Sequence, residues 1–143
     1  MSDQEIIKTY KLEKQIGFLL RQVMQRHNNI FSERMKNKLT TTQFAALVKL
    51  YELGTCSQNQ LGRHIAMDAA TIKGVVDRLN KKNLVQISTD ESDSRRLLVS
   101  LSPEGKDLAE KLIPLGKEIT EETLRPITQA NRNKLLDILQ NLT

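Results

Sequence analysis

The sequence predicts a mainly α fold with a small β-hairpin, and three observations lead there. Residues 57–82 hold two short amphipathic segments that meet at a tight corner, Ala66-Met67. Two alternating runs follow, Val85, Ile87, Thr89 and Leu97, Val99, Leu101, joined by a charged loop ending in Asp93-Ser94-Arg95-Arg96. Longer apolar stripes of helical period flank this middle part on both sides. Two short helices joined by a sharp turn and followed by a hairpin make a winged helix-turn-helix. The reading divides the chain into residues 39–103, the winged helix-turn-helix, and residues 1–38 with 104–143, a helical layer for dimerisation.

Each element has a local reason. Over residues 5–36, Leu12, Ile16, Leu19, Val23, His27 and Ile30 recur every three or four positions and line one helical face. Thr40 with Gln43 forms a capping box. The helix it opens is apolar almost all round, through Phe44, Ala45, Leu47, Val48, Leu50 and Tyr51, as a buried helix is. Gly54 stops it. Ser57 with Gln60 is a second capping box, opening a short helix with Leu61 and Ile65 inward. Asp68 caps the next, whose inner positions are Ile72, Val75, Val76 and Leu79. Ser102-Pro103 starts a helix with serine at the cap and proline in the first turn. Its apolar face is Leu108, Leu112, Leu115 and Ile119, and Pro114 inside it is expected to kink or split it. A last helix, about 128–142, carries Leu135, Leu136, Leu139 and Leu142. The central core looks self-sufficient. The apolar faces of residues 5–30 and 104–142 exceed what it can cover, so the two ends are expected to bury each other across a twofold axis.

Composition narrows the function. The 143 residues suit one domain, with 38% hydrophobic and 27% charged residues, as in folded soluble proteins. A net charge of +5 fits a polyanionic partner but also many proteins with none. The one cysteine, Cys56, excludes an internal disulfide and reads as a small buried apolar residue. His27 and His64 lack metal-ligand spacing, so neither a metal nor a cofactor is expected. No segment approaches the roughly 20 apolar residues of a membrane helix, and the chain reads as cytoplasmic, with no membrane partner. No phosphate-binding glycine loop, nucleophile elbow or paired acids suggest an enzyme.

The candidate DNA-binding residues lie in three places. On the helix after Asp68, Ala69, Ala70, Lys73, Gly74 and Asp77 face outward, with Thr71 and Arg78 on the flanks. Small residues at its start suit entry into a major groove about 12 Å wide. Gly74 costs about 1 kcal/mol of helix propensity. It fits close approach to DNA, close packing on another helix, or a surface glycine without role. The preceding helix offers Ser57, Gln58, Asn59, Gln60 and Arg63, suited to phosphate contacts or to an ordinary solvated face. In the hairpin loop, Asp93 is placed to brace Arg95 for a narrow minor groove, with Arg96 beside it. An exposed surface ion pair is the alternative.

These residues carry a resemblance. The run from Leu39 to Leu108 resembles the MarR family of bacterial transcription regulators, and the likeness extends over the flanking helices. Its most specific part is Asp93-x-Arg95, an apolar strand, and Leu101-Ser102-Pro103-Glu104-Gly105. The stretches IGFLLRQVMQRHNNIF and MDAATIKGVVDRL resemble members that respond to aromatic acids. The resemblance implies a homodimer on a near-palindromic double-stranded operator, with helix 68–82 in the major groove and Arg95 in the minor groove. It also implies a small-molecule effector held where the dimer layer meets the DNA-binding lobe, often a phenolic or aromatic carboxylate that weakens DNA binding. Arg21, Arg26, His27 and Arg34, beside Phe18, Met24, Ile30 and Phe31, are the candidates for that pocket. The same cations also suit solvent or acidic partners, and His27 an interface. Family members that sense oxidants use a cysteine near the N-terminus, and this chain has none there. The expected function is a ligand-released repressor; a winged-helix module that binds protein instead of DNA is the alternative.

Overall fold

The computed structural model describes all 143 residues. The chain runs α1 (Asp3–Thr9), a 3-10 turn (Leu12–Lys14), α2 (Ile16–Met35), α3 (Thr41–Leu53), β1 (Cys56–Ser57), α4 (Gln58–His64), α5 (Ala69–Lys81), β2 (Val85–Thr89), β3 (Leu97–Leu101), α6 (Pro103–Leu124) and α7 (Gln129–Gln140). The predicted hairpin forms, and its register sets Val85 opposite Leu101, Ile87 opposite Val99 and Thr89 opposite Leu97. A third strand was not foreseen. β1 pairs antiparallel with β3, Cys56 opposite Val99, giving the order β1-β3-β2.

The capping residues act as their chemistry requires. Thr40 and Ser57 each accept the N–H of the glutamine three residues on, and each glutamine side chain returns to the cap's own N–H. Asp68 accepts the Thr71 N–H at 2.7 Å and Ser102 accepts the Gly105 N–H at 3.0 Å. The helix-turn-helix corner is built on Ala66, at φ 56°, with the Met67 N–H donating to Gly62 O at 2.8 Å. Gly62 allows this closeness, since a Cβ there would lie 3.0 Å from Met67 O and 3.1 Å from Ile72 Cγ2.

Three expectations are corrected. The long N-terminal helix over 5–36 is interrupted, because residues 10–15 form an extended link and a 3-10 turn before α2 begins. Pro114 neither splits nor ends α6, which runs 22 residues through it. Pro114 and Glu110, whose carbonyl loses its partner, are both solvent-exposed, while Ala109, Leu112 and Ile119 anchor the opposite side in the core. Nor is the central core self-sufficient. One cluster of 17 buried residues joins Leu47, Leu61, Ile72 and Val99 to Phe31 and Met35 of α2 and to Ala109, Leu112 and Ile119 of α6.

The loop between β3 and α6 explains the Leu-Ser-Pro-Glu-Gly run. Ser102 is buried, caps α6, and donates its hydroxyl to Asn83 O at 2.6 Å, while its N–H donates to Leu84 O at 3.0 Å. A Cβ on Gly105 would lie 1.9 Å from that same Leu84 oxygen. Only glycine lets α6 start against this turn.

Candidate nucleic-acid interface and inter-helix pocket

α5 divides cleanly. Ile72, Val75, Val76 and Leu79 are buried, while Ala69, Ala70, Thr71, Lys73, Asp77 and Arg78 are exposed. Lys73 is bridged to Asp77 at 2.9 Å along the exposed face, a contact worth little in water and easily surrendered to a phosphate. Gly74 packs against no other helix. The only atoms a Cβ would meet there belong to the Arg78 guanidinium, Nη1 at 3.1 Å. This removes helix packing as its cause and leaves a site open to close approach.

α4 presents Asn59 and Arg63 to solvent and Gln58 partly. Ser57 departs from expectation. It is buried and its hydroxyl is committed to the Gln60 N–H at 3.1 Å, so it holds the helix start rather than offering a polar surface. A shallow notch of about 90 Å³ brings Gln58 and Asn59 beside Arg95, Arg96 and Leu97, so the start of α4 and the hairpin loop share one surface.

The loop is built on its acids. Asp90 accepts the Ser92 N–H at 2.9 Å and the Ser92 hydroxyl at 2.7 Å, and Arg96 lies 3.8 Å away. These hydrogen bonds, then the Arg96 charge, hold its carboxyl below the usual aspartate range. Asp93 Oδ1 accepts both the backbone N–H of Arg95 at 3.0 Å and its Nε–H at 3.3 Å. The predicted brace is present, and it holds an arginine whose side chain is 91% exposed. Asp90 was not foreseen, although Asp-x-Ser is a recognisable side-chain-to-backbone turn.

The cations of α2 do not share one pocket. Arg26 donates to the carbonyls of Glu122 and Thr123, filling the acceptors of the last turn of α6. Arg34 lies 3.8 Å from Glu118 and 3.9 Å from Glu122. Arg21 has no ion-pair partner and lines an open cleft with Tyr10, Leu12, Ile16 and Phe18. His27 and Phe31 instead line a small cavity of about 130 Å³ between α2, α3 and α6. Phe31, Phe44 and Ile119 supply its apolar wall, Thr41 and Thr120 its other polar groups. Phe31 is buried against Phe44 edge to face, ring centroids 5.8 Å apart. Gly116 admits the Phe44 ring, since a Cβ there would lie 2.6 Å from its tip. His27 Nδ1 meets Thr123 Oγ1 at 2.8 Å. The contacts of Arg26 and His27 to Glu122 and Thr123 carried no sequence signal, since the partners lie 96 or 97 positions apart.

Cys56 is half-buried rather than fully so, and burial pushes its thiol up. No helix is long and apolar enough to cross a membrane.

A helix-turn-helix with an exposed second helix and an arginine-tipped wing defines the winged-helix class of DNA-binding proteins. The comparisons narrow that class. A sequence model of the MarR family matches residues 39–97. The transcriptional repressor NicR of Pseudomonas putida is 36% identical over 134 residues, covering 93% of this chain and 85% of NicR. Among solved structures, a probable transcriptional regulator from Pseudomonas aeruginosa is 51% identical, with a TM-score of 0.88, covering 93% of this chain and all of that one. Bordetella bronchiseptica BpsR, whose DNA binding is regulated by 6-hydroxynicotinic acid, is 36% identical with a TM-score of 0.89, covering 93% of this chain and 96% of BpsR. The chain belongs to the MarR family and is a DNA-binding transcription regulator.

Proposed function

We propose that the protein acts as a homodimeric repressor on a near-palindromic operator and is released from it by a small aromatic acid. The observation that carries the DNA reading is the conjunction of an outward α5 surface with a wing whose Arg95 is both braced and solvent-exposed. A pre-organised arginine suits the negative potential of a narrow minor groove, and a helix with small residues at its start suits the major groove. Residues 39–103 would then be the DNA-binding unit.

The dimer is supported by what each chain leaves uncovered. At the N-terminus Ile7 is 74% exposed and Ile16 61%; at the C-terminus Ile138 is 58% and Leu142 67%. Neither α1 nor α7 contains a buried residue. An apolar surface of this kind marks an interface, and residues from both ends of the chain suit a second copy.

The ligand reading is supported by the cavity and by the BpsR relationship. Its volume, about 130 Å³, is on the order of the ~150 Å³ that accommodates one benzene ring. Repression, rather than activation, is supported by the similarity to NicR.

The test is an anisotropy titration of duplex DNA from the gene's own upstream region at two salt concentrations, with and without aromatic carboxylates including 6-hydroxynicotinate. Tight, salt-sensitive binding relieved by one of them is expected, because phosphate neutralisation releases counterions. Binding relieved by none would overturn the effector class. Equal affinity for random duplexes would overturn operator recognition.

A further inference from the structure

We infer that Thr123 fixes the tautomer of His27, leaving Nε2 as a bare hydrogen-bond acceptor, and so makes the cavity select single-ring ligands that offer it a donor. This rests on the aromatic-ligand reading of the same cavity.

The argument is a proton inventory. Thr123 has one hydroxyl proton. Its Oγ1 lies 3.0 Å from Ile119 O, one turn back on α6, and a carbonyl can only accept, so that proton is spent there. The same Oγ1 lies 2.8 Å from His27 Nδ1. Having no second proton to give, the hydroxyl accepts, and Nδ1 must carry the hydrogen. A neutral imidazole has one such hydrogen, so Nε2 is a lone-pair acceptor. Nothing in the chain donates to it, and His27 lines the cavity.

The surroundings sharpen the selection. The basic side chains nearest in sequence on α2 are engaged elsewhere, Arg26 by the carbonyls of Glu122 and Thr123 and Arg34 by Glu118 and Glu122. α3 contributes only Thr41 and Phe44, both uncharged. No spare cation lies beside His27 on these elements, and on this proton assignment Nε2 is the acceptor that His27 has left to offer a ligand. A ring hydroxyl or ring N–H satisfies it, whereas an ether oxygen placed there leaves two acceptors face to face. Thr123 is a positioning residue, acting on the ligand through His27.

The test has two arms, both on full-length protein. Nitrogen-15 spectra of the ligand-free protein at alkaline pH report which imidazole nitrogen holds the hydrogen, with His27→Gln assigning the signal. The wild type is expected as the Nδ1–H form, Thr123→Val as the Nε2–H form, and Thr123→Ser as the wild type. In the second arm, calorimetry compares 4-hydroxybenzoate with 4-methoxybenzoate. Wild type and Thr123→Ser are expected to prefer the hydroxy acid by about tenfold, near what one well-placed hydrogen bond supplies, and Thr123→Val to lose most of that ratio. A wild-type Nε2–H tautomer overturns the inference. So does a preference unchanged in Thr123→Val. If neither acid binds, the selection falls together with the aromatic-ligand reading, while the tautomer result separately decides what Thr123 does to His27.

Discussion

Between Leu39 and Leu101 the large apolar side chains are mostly shielded by the chain's own helices and sheet, whereas near both termini they stand in solvent. Leu47, Leu61, Ile72 and Val99 are fully buried; Ile7, Ile16, Ile138 and Leu142 are more than half exposed. Apolar residues recur at helical spacing in both regions, so the presence of a stripe does not by itself say whether it is covered. The difference is the number of partners within reach. α5 meets α3, α4 and β2, while α7 packs against no other element to a similar extent. An apolar stripe with no intramolecular partner is the surface that the proposed dimer would cover. α2 and α6 belong to both regions, since Phe31, Met35, Leu112 and Ile119 sit in the lobe's core. Under the proposed function, that shared packing is the route by which a ligand between α2 and α6 would act on residues 39–103.

The hardest blow to this contrast is removal of one side of it. Deleting residues 126–143 is expected to abolish the dimer, read by light scattering. A stable dimer without α7 would mean that the exposed C-terminal leucines face something else. Next is Gly105→Ala in the central region. With the added carbon 1.9 Å from Leu84 O, backbone must move, and a loss of about 3 kcal/mol is expected in urea unfolding. An unchanged midpoint would show the turn is not tightly held.

Smaller effects test the surface. Arg95→Ala is expected to weaken operator binding about tenfold, or about 1.4 kcal/mol, without changing stability. Lys73→Ala should weaken it less and lower the salt slope by about one, as for loss of one phosphate contact. Identical affinities in anisotropy would put both residues off the interface.

The finest test concerns the Asp68 cap of α5. The Thr71 N–H, accepted at 2.7 Å, holds its carboxyl below the ordinary 3.8. The folded state therefore favours the charged form. The cap contributes fully above the ordinary value and is lost as pH falls through the lower, folded one. The Thr71 amide resonance should titrate with a midpoint below 3.8 and lose that step in Asp68→Asn. A midpoint at or above 3.8 would show that the cap bond is weak in solution.

Much of the DNA-binding lobe was legible because its signals are local. Capping boxes at Thr40 and Ser57, the cap at Asp68, the buried set of α5 and the hairpin alternation all act within a few residues. The Asp93–Arg95 brace spans two positions and was legible for the same reason. The failures are nonlocal or balance one force against another. Periodicity alone could not see the break before Ile16, nor that core packing on one side keeps α6 continuous through Pro114. β1 is two residues long and exists only because β3 lies beside it.

The pocket beside His27 shows the division most clearly. Residue types on α2 named His27 and Phe31 as candidates, together with Arg21 and Arg26. Only the packing of α6 against α2 separated them, taking Arg26 to the helix end, leaving Arg21 in an outer cleft and setting Thr123 against His27. The sequence by itself determined the helices and the hairpin of the central region and the faces they bury, because those choices rest on spacing and caps a few residues apart. Which side chains of α2 and α6 meet was decided by contacts between residues about a hundred positions apart, and only the tertiary structure brings those together.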